Sequence, residues 1–462
     1  MGHRNDRNRW PIPLRTEHMT NIKLTELTNP AKFAQALHDG WITGSQNPEH
    51  PDHTVYTYTN ATQYACNWQP DTTMIARGLV VKLTANGTDL YNTIHGDWKH
   101  TPVETITRMF DNATVIARGM RKFFAVETNA QHQLSLVDDD EQVTVNQQPN
   151  LDFTAPASIS DKLDGALGVT IIIGNQISLC TKGAFHSDEA DAGTEYLHTK
   201  HDADGFRRFL ETELGEWTPL FEIIKPGAFH VVQYHELADI ILLGLVHKRT
   251  GWWVPAALFD SDPNTKDTRA KEIPERFGFR TPTVYAADTL EQALAMPDLP
   301  NHEGMVCTLD SPDGQELYKI KYPRFLLLDR FKNRMSPTAM REAIKLMPAE
   351  QVLSGGMPDF AAALPADLRD AAQPIISRLD EDAERQYLKE LRRKATWALD
   401  LYPQTRTGLD LESRDGAKEY ARRVHLLDAP RDVRSILFAL KKAAPGGERD
   451  AAVNAARKII VK

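Results

Sequence analysis

Asp161-Lys162-Leu163-Asp164-Gly165-Ala166, then Val169-Thr170-Ile171-Ile172-Ile173, Gly174-Asn175 and Gln176-Ile177-Ser178-Leu179-Cys180-Thr181, is the stretch on which the reading turns. The two apolar runs, rich in β-branched residues and split by Gly-Asn, predict a β-hairpin. Ahead of it stands a lysine two residues before Asp-Gly, on a tight turn that would hold its amine at one point. K-x-D-G by itself is a weak signal, because an exposed turn with a solvated lysine has the same spelling. Its meaning depends on what accompanies it.

Outward from this turn, Leu220–Ile224 and His230–Tyr234 predict a second strand pair around Lys225-Pro226-Gly227, with further strands at Ile240–His247, Gly304–Leu309 and Glu316–Lys321. Apolar residues at helical spacing predict helices at Pro30–Leu37 and Gly205–Leu214. Beyond Arg330 the character changes. Met340–Leu346, Leu368–Leu379, Glu384–Leu399, Arg414–Arg423 and Arg431–Lys442 all have helical periodicity, punctuated by Gly355-Gly356-Met357-Pro358 and Pro445-Gly446-Gly447. The expected organisation is α+β: residues 1–330 with strands and flanking helices, then residues 331–462 all helical.

Composition excludes several classes. With 41% hydrophobic and 25% charged residues among 462, the chain reads as a soluble globular protein. Its longest apolar run, Ile240–Val246, is too short to cross a bilayer. The start, Met1-Gly2-His3-Arg4-Asn5-Asp6, has no apolar core of a secretory signal. Cys66, Cys180 and Cys307 are far apart, which argues against a disulfide framework or zinc site and for a cytoplasmic location. The net charge of −9 is uneven: residues 331–462 hold 24 basic against 19 acidic side chains (+5), and the first 330 hold 30 against 44 (−14). A basic tail on an acidic body fits either a polyanionic partner or a set of solvated helix faces. The run Asp138-Asp139-Asp140-Glu141 is read as a solvated loop.

The companions of Lys162 carry the chemistry. Arg77 enters the apolar strand Gly78-Leu79-Val80-Val81; Arg121-Lys122-Phe123-Phe124 follows; Thr181-Lys182-Gly183, Phe221-Glu222, Glu303-Gly304-Met305-Val306 and Lys319-Ile320-Lys321 come later. Strand alternation puts Lys319 and Lys321 on one face, where burial is costly unless an anion lies against them. A phosphate pocket is the expectation. A lysine amine, with an ordinary pKa of about 10.4, is ammonium in neutral water; nearby cations, desolvation and a bound metal favour the neutral nucleophile. Glu222 suits ribose hydroxyls, and Glu303 a hydrated divalent cation. His230 and His235 are read as facing opposite sides of a strand, and Trp252-Trp253 as sheet packing.

In this order the segments resemble the covalent nucleotidyltransferase superfamily, and within it the phage-type ATP-dependent RNA ligase 1 family. Lys162 with Asp164-Gly165 matches the nucleotidyl-lysine motif, Lys182 falls twenty residues later as in this branch, Phe221-Glu222 is similar to the third motif, Glu303-Gly304 to the fourth and Lys319-Ile320-Lys321 to the fifth. Ala76-Arg77-Gly78, Lys122-Phe123-Phe124 and Tyr58 resemble upstream nucleotide contacts, with Arg118 of a second Ala117-Arg118-Gly119 as the alternative to Arg77. Ala166 stands where the family usually has serine, and Ala125 where asparagine follows K-F-F. The resemblance implies an ATP-grasp-like adenylyltransferase domain of antiparallel sheets, then a helical RNA-specificity domain. It implies Lys162 as nucleophile; Tyr58, Arg77, Lys122, Asp164, Gly165, Lys182, Glu222, Lys319 and Lys321 as ATP contacts; and Glu303 and Asp359 toward Mg2+, with Mn2+ as substitute. One indole of Trp252-Trp253 beside the adenine is a lesser possibility. RNA ends, broken tRNA included, are the implied partners, with no membrane and no obligatory protein partner. A DNA nick ligase, a GTP-using capping enzyme and a non-catalytic RNA-binding protein on a ligase scaffold are the alternatives.

Overall fold

The computed structural model describes residues 21–128, 134–138, 143–147, 152–226, 230–311, 314–334, 336–365 and 368–461. Met1 to Asp6, Gly227 and Asp139-Asp140-Glu141, named above, lie outside them. The chain divides into two compact units, Met1–Phe325 and Leu326–Lys462.

In the first unit the strands are β1 (Ile42–Gln46), β2 (His53–Tyr58), β3 (Arg77–Lys82), β4 (Thr114–Ala117), β5 (Phe124–Thr128), β6 (Leu134–Asp138), β7 (Val143–Gln147) and β8 (Ala157–Lys162). Then come β9 (Ala166–Ile173), β10 (Gln176–Cys180), β11 (Trp217–Ile224), β12 (Asp239–His247), β13 (Trp253–Pro255), β14 (Gly304–Ser311) and β15 (Gly314–Lys321). They make three sheets, ordered β1-β2-β3-β4, β10-β9-β11-β12-β13 and β7-β6-β5-β15-β14-β8. Their named strand pairs are antiparallel except β5 with β15.

The β9–β10 hairpin forms as expected, with Ile173 opposite Gln176 and Gly174 at φ +60°, the left-handed conformation this turn needs. The K-x-D-G turn is different. It joins β8 and β9, which belong to separate sheets, so Lys162 sits at a crossing point between two sheets and not at a hairpin mouth. The expected pairing of Leu220–Ile224 with His230–Tyr234 does not form. β11 pairs with β9 and β12 instead, and residues 230–234 are irregular because the Val231 and Val232 amides are bound by a carboxylate. His230 and His235 therefore do not share a strand.

Local sequence explains the flanking helices. Pro30–His38 starts with Asn29 accepting from Ala31 N and proline at its first position. Ala203–Glu213 is capped by the Asp202 carboxylate on Gly205 N and buries Phe206, Phe209 and Leu210 at i, i+3, i+4 spacing. That face packs with Phe221, Phe277 and Phe279. Another cluster draws on all three sheets, with Val55 and Val80, Val169, Leu220 and Val246, and Leu317. It holds the sheets together along the seam where Lys162 crosses.

The second unit is helical. Its core takes Leu379, Leu391, Tyr420, Ile436 and Val453, and the Tyr420 hydroxyl donates to Leu437 O at 2.7 Å. Arg369–Ala383 runs into Lys389–Arg406 through a π turn at Glu384–Leu388, where Arg392 holds Glu384 at 2.8 Å. The unit also has a helix at Glu448–Ile460, which was not among the expected ones.

Candidate active site

Strand register assembles the centre. Gly304 of β14 lies opposite Lys162 of β8 on one side and Lys321 of β15 on the other. Both amines converge on the residue before that glycine: Glu303 Oε1 accepts from Lys162 Nζ at 2.7 Å and from Lys321 Nζ at 3.1 Å. Glu303 is 4% exposed. The glycine is required, since at φ +152° a Cβ would lie 2.0 Å from Ile320 O. Thus Glu-Gly places a carboxylate between two lysines and lets three strands meet around it.

The turn after Lys162 is tied from the far side. Asp164 Oδ2 accepts from Val231 N (2.7 Å) and Val232 N (3.1 Å), and Asp164 N donates to the Tyr234 hydroxyl at 2.7 Å. Gly165 allows β11 to approach, because a Cβ there would be 2.8 Å from both Glu222 Cγ and Ile223 O. Register sets Glu222 opposite Leu167, just past the turn. Burial pushes the Glu222 carboxyl up to about 7; the negative charges of Glu303 and Asp164 add to this, and Lys162 and Arg77 work against it.

Lys162, Gly165 and Glu222 line a cleft of about 170 Å³ together with Arg77, Phe123 and Trp253 among others. The other cations stand on aromatic rings. Lys122 and Lys182 lie 5.3 and 5.4 Å from the Tyr58 ring centre, Lys122 is 5.1 Å from Trp68, and Tyr58 meets Trp68 edge-on at 5.0 Å. Lys319 and Arg77 lie 5.6 and 6.0 Å from Phe123. Tyr58 N donates to Ala76 O at 2.8 Å, which joins the two cationic groups. Such rings supply an electronegative face that tolerates ammonium and guanidinium out of water.

The two Ala-Arg-Gly segments pack on each other. Gly119 N donates to Gly78 O at 3.0 Å, and a Cβ on Gly119 would be 2.0 Å from Arg77 O. Only Arg77 lines the cleft. Arg118 is buried and its guanidinium donates to Lys248 O and Arg249 O at 3.2 and 2.9 Å; burial brings its pKa down to about 10. Asp359 belongs to the second unit, exposed ahead of the short helix Phe360–Ala363. Among the described residues no three His, Cys, Asp or Glu side chains form a metal cluster. Phe123 entered the sequence reading only within Lys122-Phe123-Phe124, while Trp68 and the Tyr234 hydroxyl were passed over as site residues. Only position in space marks them, and no spacing in the chain does so.

A model of an RNA ligase family matches residues 76–323, from Ala76 through the last lysine pair. No curated protein sequence matches. Similar solved structures include a putative ATP-dependent DNA ligase from Aquifex aeolicus (12% identity, 83% of this chain and 89% of that one, TM-score 0.40). An archaeal ATP-dependent RNA ligase (12%, 66% and 84%, 0.31) and a Naegleria gruberi RNA ligase variant with ATP and Mn (15%, 50% and 68%, 0.32) are others. The family match spans more than half of the chain and takes in the Lys162 turn, Glu222, Glu303 and both terminal lysines of β15: the chain belongs to the phage-type RNA ligase family.

Proposed function

We propose that the chain is an ATP-dependent RNA ligase that joins 5′-phosphate and 3′-hydroxyl ends through an adenylate carried on Lys162. The observation that carries this is the Lys162–Glu303–Lys321 contact at 2.7 and 3.1 Å, with Lys162 lining one cleft alongside Glu222 and Arg77. Lys162 Nζ attacks the α-phosphorus of ATP; the N–P bond forms, the bond to the β-phosphate oxygen breaks, and pyrophosphate leaves. Glu303 Oε1 is the nearest acceptor for the proton the amine gives up. A 5′-phosphate oxygen of RNA then displaces the lysine from phosphorus, and the amine recovers a proton. Finally the 3′-hydroxyl attacks the activated 5′-phosphorus, and AMP departs.

In this reading Lys319 and Lys321 oppose charge on the α-phosphate, Arg77, Lys122 and Lys182 with Tyr58 hold the rest of the triphosphate, and Glu222 receives the ribose hydroxyls. The Asp164-Gly165 turn keeps the amine in place. Mg2+ takes one or two carboxylates and completes its shell with phosphate oxygens and water. The buried carboxylate of Glu303 fits that need and would hold the ion; Mg2+, or Mn2+ in its place, would supply neutralisation of phosphate charge. The helical unit selects the RNA, with cleaved tRNA as the substrate class and repair as the role. No described helix is long and apolar enough to cross a membrane, and the cytoplasm is the proposed location.

Incubation with α-labelled ATP and Mg2+, followed by a sealing assay on RNA with 5′-phosphate and 3′-hydroxyl ends, tests the proposal. Labelled protein and sealed RNA are expected from the native chain and neither from Lys162→Ala. Sealing by Lys162→Ala would contradict it.

A further inference from the structure

The first unit has another cavity, larger than the cleft at Lys162: about 260 Å³ against 170 Å³, with no lining residue in common. Its walls come from the turn joining β1 to β2, the β9–β10 hairpin and the helix Asp188–Lys200. Ile171 and Ile173 of β9 belong to it. Along the strand they stand roughly 15–25 Å from Ala166, where β9 leaves the Lys162 turn. A cavity of about 150 Å³ admits one benzene ring, so this one takes a nucleobase with room for part of its ribose.

The lining suits such a ring. Ile171, Ile173 and Phe185 supply apolar surface, and the imidazoles of His50, His186 and His198 supply flat ring surface. Asn47, also in the lining, is 5% exposed. Its Oδ1 accepts from Glu49 N and His50 N at 2.9 and 3.2 Å, which fixes which end of the amide is nitrogen. Nδ2 donates to nothing among the described residues, and it is not one of the unpartnered atoms sealed from solvent. On a residue so nearly covered, the cavity is the outlet left to that donor. Acceptors accompany it. His186 Nδ1 donates to Asp191 Oδ1 and His198 Nε2 to Ile177 O, both at 2.9 Å; a neutral imidazole that donates through one nitrogen keeps an acceptor on the other. A donor with acceptors over apolar surface matches the edge of a nucleobase, which carries both. The Glu49 and Asp191 carboxylates in the same lining disfavour a bare anion such as phosphate.

We infer that this cavity takes a nucleobase, at a distance from Lys162 that belongs to an RNA nucleotide several residues from the end being joined. This rests on the reading of the chain as an RNA ligase. Single strands are held by bases stacked on side-chain rings and hydrogen-bonded along their edges, so the cavity fixes the strand without touching the reacting phosphorus. A free nucleotide offers the same base edge, and the experiment separates the two sources.

Asn47→Asp keeps the acceptor that closes its turn and removes only the N–H donors; Ser178→Phe fills the cavity from β10. Fluorescence anisotropy with single-stranded 5′-phosphate RNA of 3 and 12 nucleotides, and calorimetry with AMP, GMP, CMP and UMP, are run on the full chain, native and variant. Both variants are expected to weaken the 12-mer about tenfold, to leave the 3-mer unchanged and to form lysyl-AMP from ATP at the native rate. On the native chain, a 12-mer with one abasic nucleotide should bind about tenfold more weakly at one internal position, and Asn47→Asp should lose little more there. If the 12-mer is unaffected and the native chain takes up a second mononucleotide that both variants lose, the base comes from a free nucleotide. Unchanged binding of the 12-mer and of all four mononucleotides in both variants, or equal weakening of the 3-mer and the 12-mer, would overturn the inference. Should both variants fail to fold, the native chain decides against it if every abasic 12-mer binds like the intact one and no second mononucleotide binds. If the native chain forms lysyl-AMP and seals RNA while the variants bind RNA and mononucleotides as it does, this inference alone falls. If the native chain forms no lysyl-AMP, the ligase reading falls, and the abasic comparison still decides whether the cavity holds a base.

Discussion

Glu303 governs what Lys162 can do. The sequence led to an amine surrounded by cations, but the nearest charge to Nζ is a carboxylate at 2.7 Å, shared with Lys321. The cations act on phosphate and the carboxylate acts on the amine. Glu303→Gln should therefore slow formation of the lysyl adduct by at least about 10²-fold, measured in a single-turnover assay; a rate within threefold of native would contradict this. Glu222 gives a stability test. Its carboxyl, ordinarily ionising near 4.5, is raised to about 7 by burial. Below pH 4.5 folded and unfolded chains both hold the proton. From 4.5 to 7 the unfolded chain ionises first, so stability is lost, and above 7 the full penalty is present. Glu222→Gln should thus raise the unfolding free energy by roughly 1–3 kcal/mol at pH 8 and by almost nothing at pH 4, in denaturant titrations at both pH values. Lys162, Glu222, Glu303 and Lys321 were legible because each is marked by its neighbours in sequence. The Tyr234 hydroxyl was not, because its contact is made with Asp164, seventy residues away in the chain.

At the level of elements, Asp164 connects the turn to a segment with no regular structure. Its carboxylate takes two amides that alternation had assigned to a strand ladder. Val231-Val232 next to Tyr234 looks like a strand in sequence, and only the folded chain reveals which acceptor its N–H groups find. Asp164→Ala should speed hydrogen exchange at Val231 and Val232 by more than tenfold, because each charge-assisted bond is worth about 1.5–3 kcal/mol. Native-like protection there would show that the bonds do not hold the segment. The β9–β10 hairpin was readable because Gly174-Asn175 carries its own turn geometry, and β14 and β15 because their apolar runs are bounded. The crossing of β8 and β9 between sheets was not, since pairing partners are chosen by long-range packing and leave no trace in a local pattern. The helix Glu448–Ile460 escaped notice because its buried face is largely alanine, Ala452 and Ala456 with Val453, which gives weak apolar contrast.

At the scale of the molecule, the acidic unit holds the cleft and the basic helical unit carries the excess of lysine and arginine. On the helix through the π turn, Arg385, Lys389 and Arg393 are exposed. If this unit meets RNA, replacing all three by Gln should reduce the slope of log affinity against log salt by about 2, at roughly 0.7 per phosphate for a single strand, and leave lysyl-AMP formation unchanged. An unchanged slope would remove this helix from the RNA contact. The helical character of residues 331–462 was legible from periodicity and Pro/Gly punctuation, whereas their use could be framed only from charge. The proposed activity as a whole depends on which side chain carries the nucleotide, and mass-spectrometric peptide mapping after incubation with ATP and Mg2+ answers that directly. AMP is expected on the peptide containing Lys162 and on no other. AMP on Lys319 or Lys321, or RNA sealed by a chain that never carries AMP, would contradict the mechanism.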